Sequence, residues 1–357
     1  DSAEMQMAQT DHENRRRKAE GKPLRHPLYT RVEAKDTIRL FQTVEYGELY
    51  EIAKGIDVRY QDAGHILGSA IIELFVEGKK LVFSGDLGQW DNPIIRDPTL
   101  IEETDYLFIE STYGDRLHED VPGREELLAK YANETHKKGG KLFIPSFAVE
   151  RTQELLYAIK NLQQKKKFPR ETIFLDSPLA IKATGIFIKH GECYDKEARG
   201  RKNPLEPANT QYTPNVQQSK KINNYHHPCV IIAGSGMCTG GRIRHHLRNG
   251  IEDEKNTILF VGYQAEGTLG RYIVEKSPTV QMFGEQYNVF ADVKSIDGFS
   301  AHADQAELLR WAKGFKKKPK KTLVTHGEPK ASETLKEKLN ELGFNAKVPS
   351  IQQTMEL

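Results

Sequence analysis

The chain has 357 residues, 38% hydrophobic and 29% charged, which suits a globular fold of two domains or of one domain with a large insertion. Its 52 Lys and Arg nearly cancel 50 Asp and Glu, so any surface for a polyanion must be local. No apolar run nears the roughly 18 residues a membrane span requires, and three cysteines at irregular spacing argue for a reducing compartment over a disulfide framework.

The amino terminus has no basic segment followed by an apolar one, so no signal peptide and a cytoplasmic location are expected. The first 25 residues are polar, include Arg15-Arg16-Arg17-Lys18, and read as a helix or arm before a loop through Pro23 to Pro27. Short strands follow at Ile56–Tyr60, Ala70–Phe75, Lys80–Ser84 and Tyr106–Ile109. From about Asp115 strands alternate with helices. Strands are expected at 141–144, 172–175, 229–233, 257–261 and 289–296, and helices at 151–162 and 179–189. The polar stretch 192–218 reads as a surface excursion. Asp304 opens a helix, Lys321–Thr325 is a strand, and Pro329 suits the first turn of a final helix that stops at Gly343. This alternation indicates an α/β protein.

Several strands end in polar, glycine- or serine-rich tips. They are Gly64-His65-Ile66-Leu67-Gly68-Ser69, Ser84-Gly85-Asp86-Leu87-Gly88, Glu110-Ser111-Thr112-Tyr113-Gly114, Phe299-Ser300-Ala301-His302-Ala303-Asp304 and Thr325-His326-Gly327-Glu328. A sheet holds such a residue rigidly while its head group stays accessible. Three imidazoles and two carboxylates so placed offer the nitrogen and oxygen donors of a catalytic zinc site. Taken singly, a strand-end His is more often a hydrogen-bonded structural residue, and Asp after Ser-Gly more often forms a turn.

In combination these segments resemble the metallo-β-lactamase superfamily. Gly64–Ala70, with Asp86 downstream, is similar to its third and fourth metal motifs. Glu110–Gly114, Phe299–Asp304 and Thr325–Glu328 resemble motifs A, B and C of the β-CASP group, most of all in prokaryotic relatives of the cleavage and polyadenylation endonuclease subunit. The resemblance implies an αββα sandwich shortened at its start, with an inserted α/β β-CASP domain. Residues 1–114 would form the first part of the core, 115–288 the insertion and 289–357 the return. It implies that His65 binds one zinc, Asp86 bridges two, and His326 binds the second. His302 would sit opposite the metals and act on the scissile phosphate or leaving oxygen, oriented by Glu110. The family's His-x-His-x-Asp-His motif occurs nowhere in this sequence. Asp1-Ser2-Ala3 resembles a point beyond it, so roughly a hundred family residues are expected to precede this chain, which alone should be inactive.

Four loops of the insertion, 145–151, 176–180, 234–242 and 262–271, follow strands and open helices, where backbone N–H groups attract phosphate oxygens. Ser146, Arg151, Ser177, Ser235, Gly236, Gly240, Arg242 and Arg271 are the expected RNA contacts. Any one such loop is more often a plain strand-to-helix turn. Tyr113, Phe147 and Tyr263 suit either base stacking or core packing, and Cys238 reads as a packing residue. The expected function is zinc-dependent RNA hydrolysis, endonucleolytic first and 5′-to-3′ exonucleolytic as the alternative, with RNA as partner and a homodimer left open. Its rivals are a non-catalytic RNA-binding scaffold and a small-substrate metallohydrolase.

Overall fold

The computed structural model describes residues 2–118 and 123–356. Alternating apolar residues and tight turns build the first sheet. β1 (Leu49–Ala53), β2 (Ile56–Asp62), β3 (Ala70–Val76) and β4 (Lys79–Phe83) form an antiparallel meander. Glu77 and Gly78, which join β3 to β4, both take positive φ, as short hairpin turns favour. β5 (Tyr106–Glu110) adds parallel to β4, then β14 (Lys321–Thr325) parallel to β5, with β15 (Ala346–Lys347) at the edge. Helices α9 (Gln305–Ala312) and α10 (Pro329–Glu341) cover one face, where Leu308, Trp311, Leu335 and Leu339 pack with Val82, Leu107, Ile109 and Val324. The alternate residues Phe83 and Phe108 stack 4.3 Å apart and are half-buried.

A second sheet lies in the chain between β5 and β14. Those two strands nonetheless pair in register from Lys321 opposite Tyr106 to Thr325 opposite Glu110. The segment between them is therefore an insertion at a strand junction. Its strands are β6 (Lys141–Pro145), β7 (Thr172–Leu175), β8 (Thr210–Tyr212), β9 (Cys229–Ala233), β10 (Thr257–Phe260) and β13 (Asp292–Ser295). They are all parallel, in the order β13-β10-β6-β9-β7-β8.

A parallel sheet needs cover on both faces. Here α3 (Arg124–Lys137), α4 (Arg151–Gln164) and α5 (Pro178–Lys189) bury Leu128, Leu155, Ile159 and Ala180 against Ile144, Val230 and Ile232. On the other face α6 (Val216–Ile222), α7 (Ile243–Gly250) and α8 (Leu269–Val274) bury Ile222, Leu247 and Ile273 against Phe143, Ile231 and Phe260. Each such aliphatic side chain contributes about 1.5–3 kcal/mol. β11 (Thr279–Met282) and β12 (Glu285–Asn288) form a separate hairpin.

Two expectations change in part. Stretch 192–218 is largely exposed, as expected, but it is anchored to the core. Tyr194, Ala198 and Leu205 are buried with Ile94, Ile95, Tyr157 and Phe187, and Thr210–Tyr212 is an edge strand. The final strand of the insertion is Asp292–Ser295, and it pairs with β10, beyond the expected boundary at 288. Residues Asp1–Glu48 form a compact unit of their own, with helices α1 (Ser2–Ala19) and α2 (Arg31–Ile38). Thr30 and Glu33 close a capping box at the start of α2. Among the described residues, no helix is long and apolar enough to cross a membrane.

Candidate functional site

Three neighbouring parallel strands, β4, β5 and β14, end at one edge of the first sheet, and each runs into a polar tip. β4 leads to Asp86, β5 ends on Glu110, and β14 runs into His326. His65 arrives on the loop between β2 and β3, and His302 from the segment before α9. The Asp86 and His65 loops lie backbone to backbone. A Cβ at Gly88 would come within 1.7 Å of the Gly64 carbonyl oxygen, so only glycine fits there. His326 takes a φ of 52°, uncommon for histidine, with Thr112 Oγ1 3.3 Å from its Nδ1.

Asp86 sits between two imidazoles. Its Oδ1 is 3.2 Å from His326 Nδ1 and its Oδ2 is 3.9 Å from His65 Nε2. His302 Nδ1 lies 3.2 Å from each Glu110 oxygen, and its ring centroid is 4.3 Å from that of His65. Donor atoms of His65, Asp86 and His302 lie within 4.8 Å of one another, as do those of Asp86, Glu110 and His326. Distance alone therefore admits His302 as a ligand. Its bond to Glu110 distinguishes it from His65.

Glu110 is 1% exposed and accepts the Leu87 N–H at 2.6 Å and the Thr112 N–H at 3.3 Å. Burial opposes its charge, but the hydrogen bond and charge of His302 prevail and hold it below the ordinary carboxylate range. Burial also opposes charge on His302; the bond to Glu110 outweighs it and raises the imidazole pKa. His65 moves the other way. Burial, then the neighbouring His302, push it down to about 4, which leaves a neutral ring with a free lone pair. Ligand imidazoles must be neutral. A carboxylate whose two oxygens each face an imidazole fits a divalent cation such as zinc.

Two family models match the chain: a Beta-Casp domain over residues 152–273 and a Zn-dependent metallo-hydrolase RNA specificity domain over 286–349. The chain is also 37% identical over 311 residues to Ribonuclease TTHA0252 of Thermus thermophilus, which covers 86% of this chain and 70% of that one. The chain belongs to the β-CASP group of the metallo-β-lactamase superfamily. An RNase J-like protein of Methanocaldococcus jannaschii is 36% identical over 292 residues, 80% of this chain and 67% of its own. The transcription termination factor FttA of the same organism is 33% identical over 329 residues. It covers 87% of this chain, which spans about half of FttA (51%).

The β-CASP insertion brings its four glycine- and hydroxyl-rich loops together at the C-terminal ends of its strands. A Cβ on Gly234 would lie 3.6 Å from both the Ser146 carbonyl and Ser177 Oγ, Gly236 is seated against Phe147, and the Gly270 N–H donates to the Met237 carbonyl at 3.1 Å. Ser146 is buried, 3.1 Å from Thr152 Oγ1. Ser177 caps α5 by accepting the Ala180 N–H, and Ser235 accepts the Gly240 N–H at 3.1 Å.

The three arginines expected on phosphate differ. Arg271 is partly exposed and pairs with Glu275 one turn on. Arg151 is buried and tied to Glu154. Arg242 donates to Asp176 at 2.7 Å and to the Thr213 and Pro214 carbonyls. Neither Arg151 nor Arg242 presents a free guanidinium to the loop face, because buried carboxylates turn both inward.

Among the aromatic residues, Phe147 is exposed and Tyr113 is buried, while the Tyr263 hydroxyl donates to Glu328. Cys238 is buried, and that burial pushes its thiol up to about 12. Sequence reading passed over Ser84, whose Oγ accepts the Glu110 N–H at 3.0 Å, and His118, whose Nε2 lies 3.0 Å from the His302 carbonyl oxygen. Ser84 lies within a strand tip already singled out; His118 follows motif A with no signal of its own.

Proposed function

We propose that this β-CASP chain carries the reaction site of a zinc-dependent ribonuclease that hydrolyses RNA phosphodiester bonds, with two zinc ions flanking Asp86. One observation carries the reading: Asp86 lies between His65 and His326 while the His302–Glu110 pair stands beside them. The names Ribonuclease and RNase J-like of two relatives support RNA as the substrate class. His65, Asp86 and His326 would hold the ions. Bound there, the ions supply Lewis-acid polarisation of the phosphate and lower the pKa of water toward neutrality.

The chain's own residues handle the leaving group. Glu110 grips Nδ1 of His302, fixes the ring and favours its protonated form. Nε2–H is then the proton donor to the departing ribose oxygen, and the imidazole ends neutral. The loops of Ser177, Ser235, Gly236 and Gly240, with Arg271, would hold the RNA backbone through main-chain N–H groups and one guanidinium. Ser146, Arg151 and Arg242 instead shape those loops from within.

The test uses the full gene product on labelled RNA and on ester substrates, with zinc, after chelation, and with zinc restored. RNA cleavage that disappears and returns with the metal is the expected result. Binding without cleavage supports the scaffold reading, and turnover of the ester alone supports a small-substrate hydrolase.

A further inference from the structure

The insertion reaches the metal-site loop through a residue with no part in the chemistry above. Glu150 is fully buried, with φ 64° and ψ −64°, and the Arg151 N–H donates back to the Val149 carbonyl at 2.9 Å. That closes a γ-turn of the rarer, strained hand. Glu150 occupies the N-cap position of α4, yet its side chain makes no capping bond. One carboxyl oxygen instead accepts the N–H of Leu67 at 3.2 Å, 83 residues away. The other is buried without a hydrogen-bond partner among the described residues.

Leu67 stands two positions after His65. Its side chain packs against a cluster in which Ile94 and Ile95 meet Tyr157, Phe187 and Tyr194 of the insertion, so main chain and side chain both tie this residue to the seam between the two sheets' segments. The rest of the loop is braced internally. Ser69 Oγ accepts the His65 and Ile66 N–H groups, and the Ser69 N–H returns to the Ile66 carbonyl at 2.9 Å. Displacement at Leu67 would therefore be passed to His65 and little absorbed on the way. Glycine would sit at position 150 without strain. Glutamate there has a compensating role only if its side chain is needed, and among the described residues its carboxyl accepts one hydrogen bond, from Leu67. Burial and the neighbouring Glu154 raise its pKa; an amide keeps the length and the oxygen that accepts the Leu67 N–H.

We infer that Glu150 is a positioning residue through which the inserted domain sets the placement of His65. This rests on the metal reading above. Glu150→Gly removes the carboxyl and relaxes the turn; Glu150→Gln keeps the length and the acceptor oxygen. The readouts are zinc titration of the metal-free full gene product, its Tm without metal, and kcat and KM on RNA.

Glu150→Gly is expected to keep or raise the metal-free Tm, to bind zinc roughly 10–100-fold more weakly and to lose about tenfold in kcat with KM unchanged. Glu150→Gln should restore zinc affinity and kcat to near the parent's. A fall in Tm with zinc affinity unchanged overturns the inference, and so do equal losses in the Gly and Gln variants. If the Gly variant does not fold, Glu150→Asp leaves the backbone strain as in the parent and retracts the carboxyl by one methylene. Parent-like zinc affinity in that variant overturns the inference too. Zinc titration needs no RNA. A parent that binds zinc, with affinity sensitive to position 150, but cleaves no RNA refutes the ribonuclease and leaves Glu150 in its role.

Discussion

Two His–carboxylate pairs in this molecule are made of nearly the same groups and serve different ends. In the insertion, Asp176 is wholly buried and saturated. It accepts from His246 and Arg242 at 2.7 Å and from Thr213 and Ser219 at 2.6 Å. Burial works against its charge, but these partners hold its pKa down at about 2. At the edge of the first sheet, Glu110 is equally buried, yet the His302 side chain it holds is one-fifth exposed and stands beside His65 and His326. A saturated pair locks loops together. A pair whose imidazole is partly exposed is free to meet a substrate.

Breaking each pair should separate the two roles. His302→Ala is expected to lower RNA cleavage by about 10²–10⁴-fold while Tm and zinc content stay near the parent's. Loss of zinc together with activity would make His302 a ligand and erase the contrast. Asp176→Asn should act on stability instead. It leaves the half-buried Arg242 and the buried His246 without their counter-charge, and the denaturant midpoint should fall by the equivalent of about 3–5 kcal/mol. The sign of its pH dependence follows from the depressed folded pKa. The stabilisation from Asp176 is complete above the unfolded value near 3.8 and is lost as pH falls toward about 2, so acid-unfolding curves of parent and variant should converge there.

Glu110→Gln sharpens the comparison further. It removes the charge that raises the His302 pKa, so cleavage should drop about 10–100-fold and its alkaline limb should move to lower pH, where the acid form is still populated. An unmoved limb would detach His302 from proton donation. The smallest effect is expected from Arg271→Ala, which should weaken RNA binding and reduce the slope of log affinity against log salt by about one.

Much of the polar edge of the first sheet was legible from sequence because its signals are local. An apolar run that stops at His, Asp or Glu beside glycine or serine marks a strand tip, and His65, Asp86, Glu110, His302 and His326 all proved to be gathered at one edge. The insertion was legible as strands and helices, and less so as a face. Arg151 and Arg242 lie in phosphate-type loops, but the carboxylates that turn them inward act through tertiary packing. Arg242 meets Asp176 across 66 residues. The polar stretch 192–218 hides Tyr194, Ala198 and Leu205, three apolar residues too widely spaced to show a period, that close a core cluster. Glu150 gave no signal because its contact with Leu67 spans the two sheets' loops and its strain is a property of the backbone.

The most direct measurement is anomalous scattering at the zinc edge from crystals of the full gene product grown with zinc. Peaks on both sides of Asp86, within about 2.0–2.2 Å of its oxygens and of nitrogens from His65 and His326, are the result this reading requires. Zinc bound elsewhere, for instance at His226 and His227, with none beside Asp86, would contradict it.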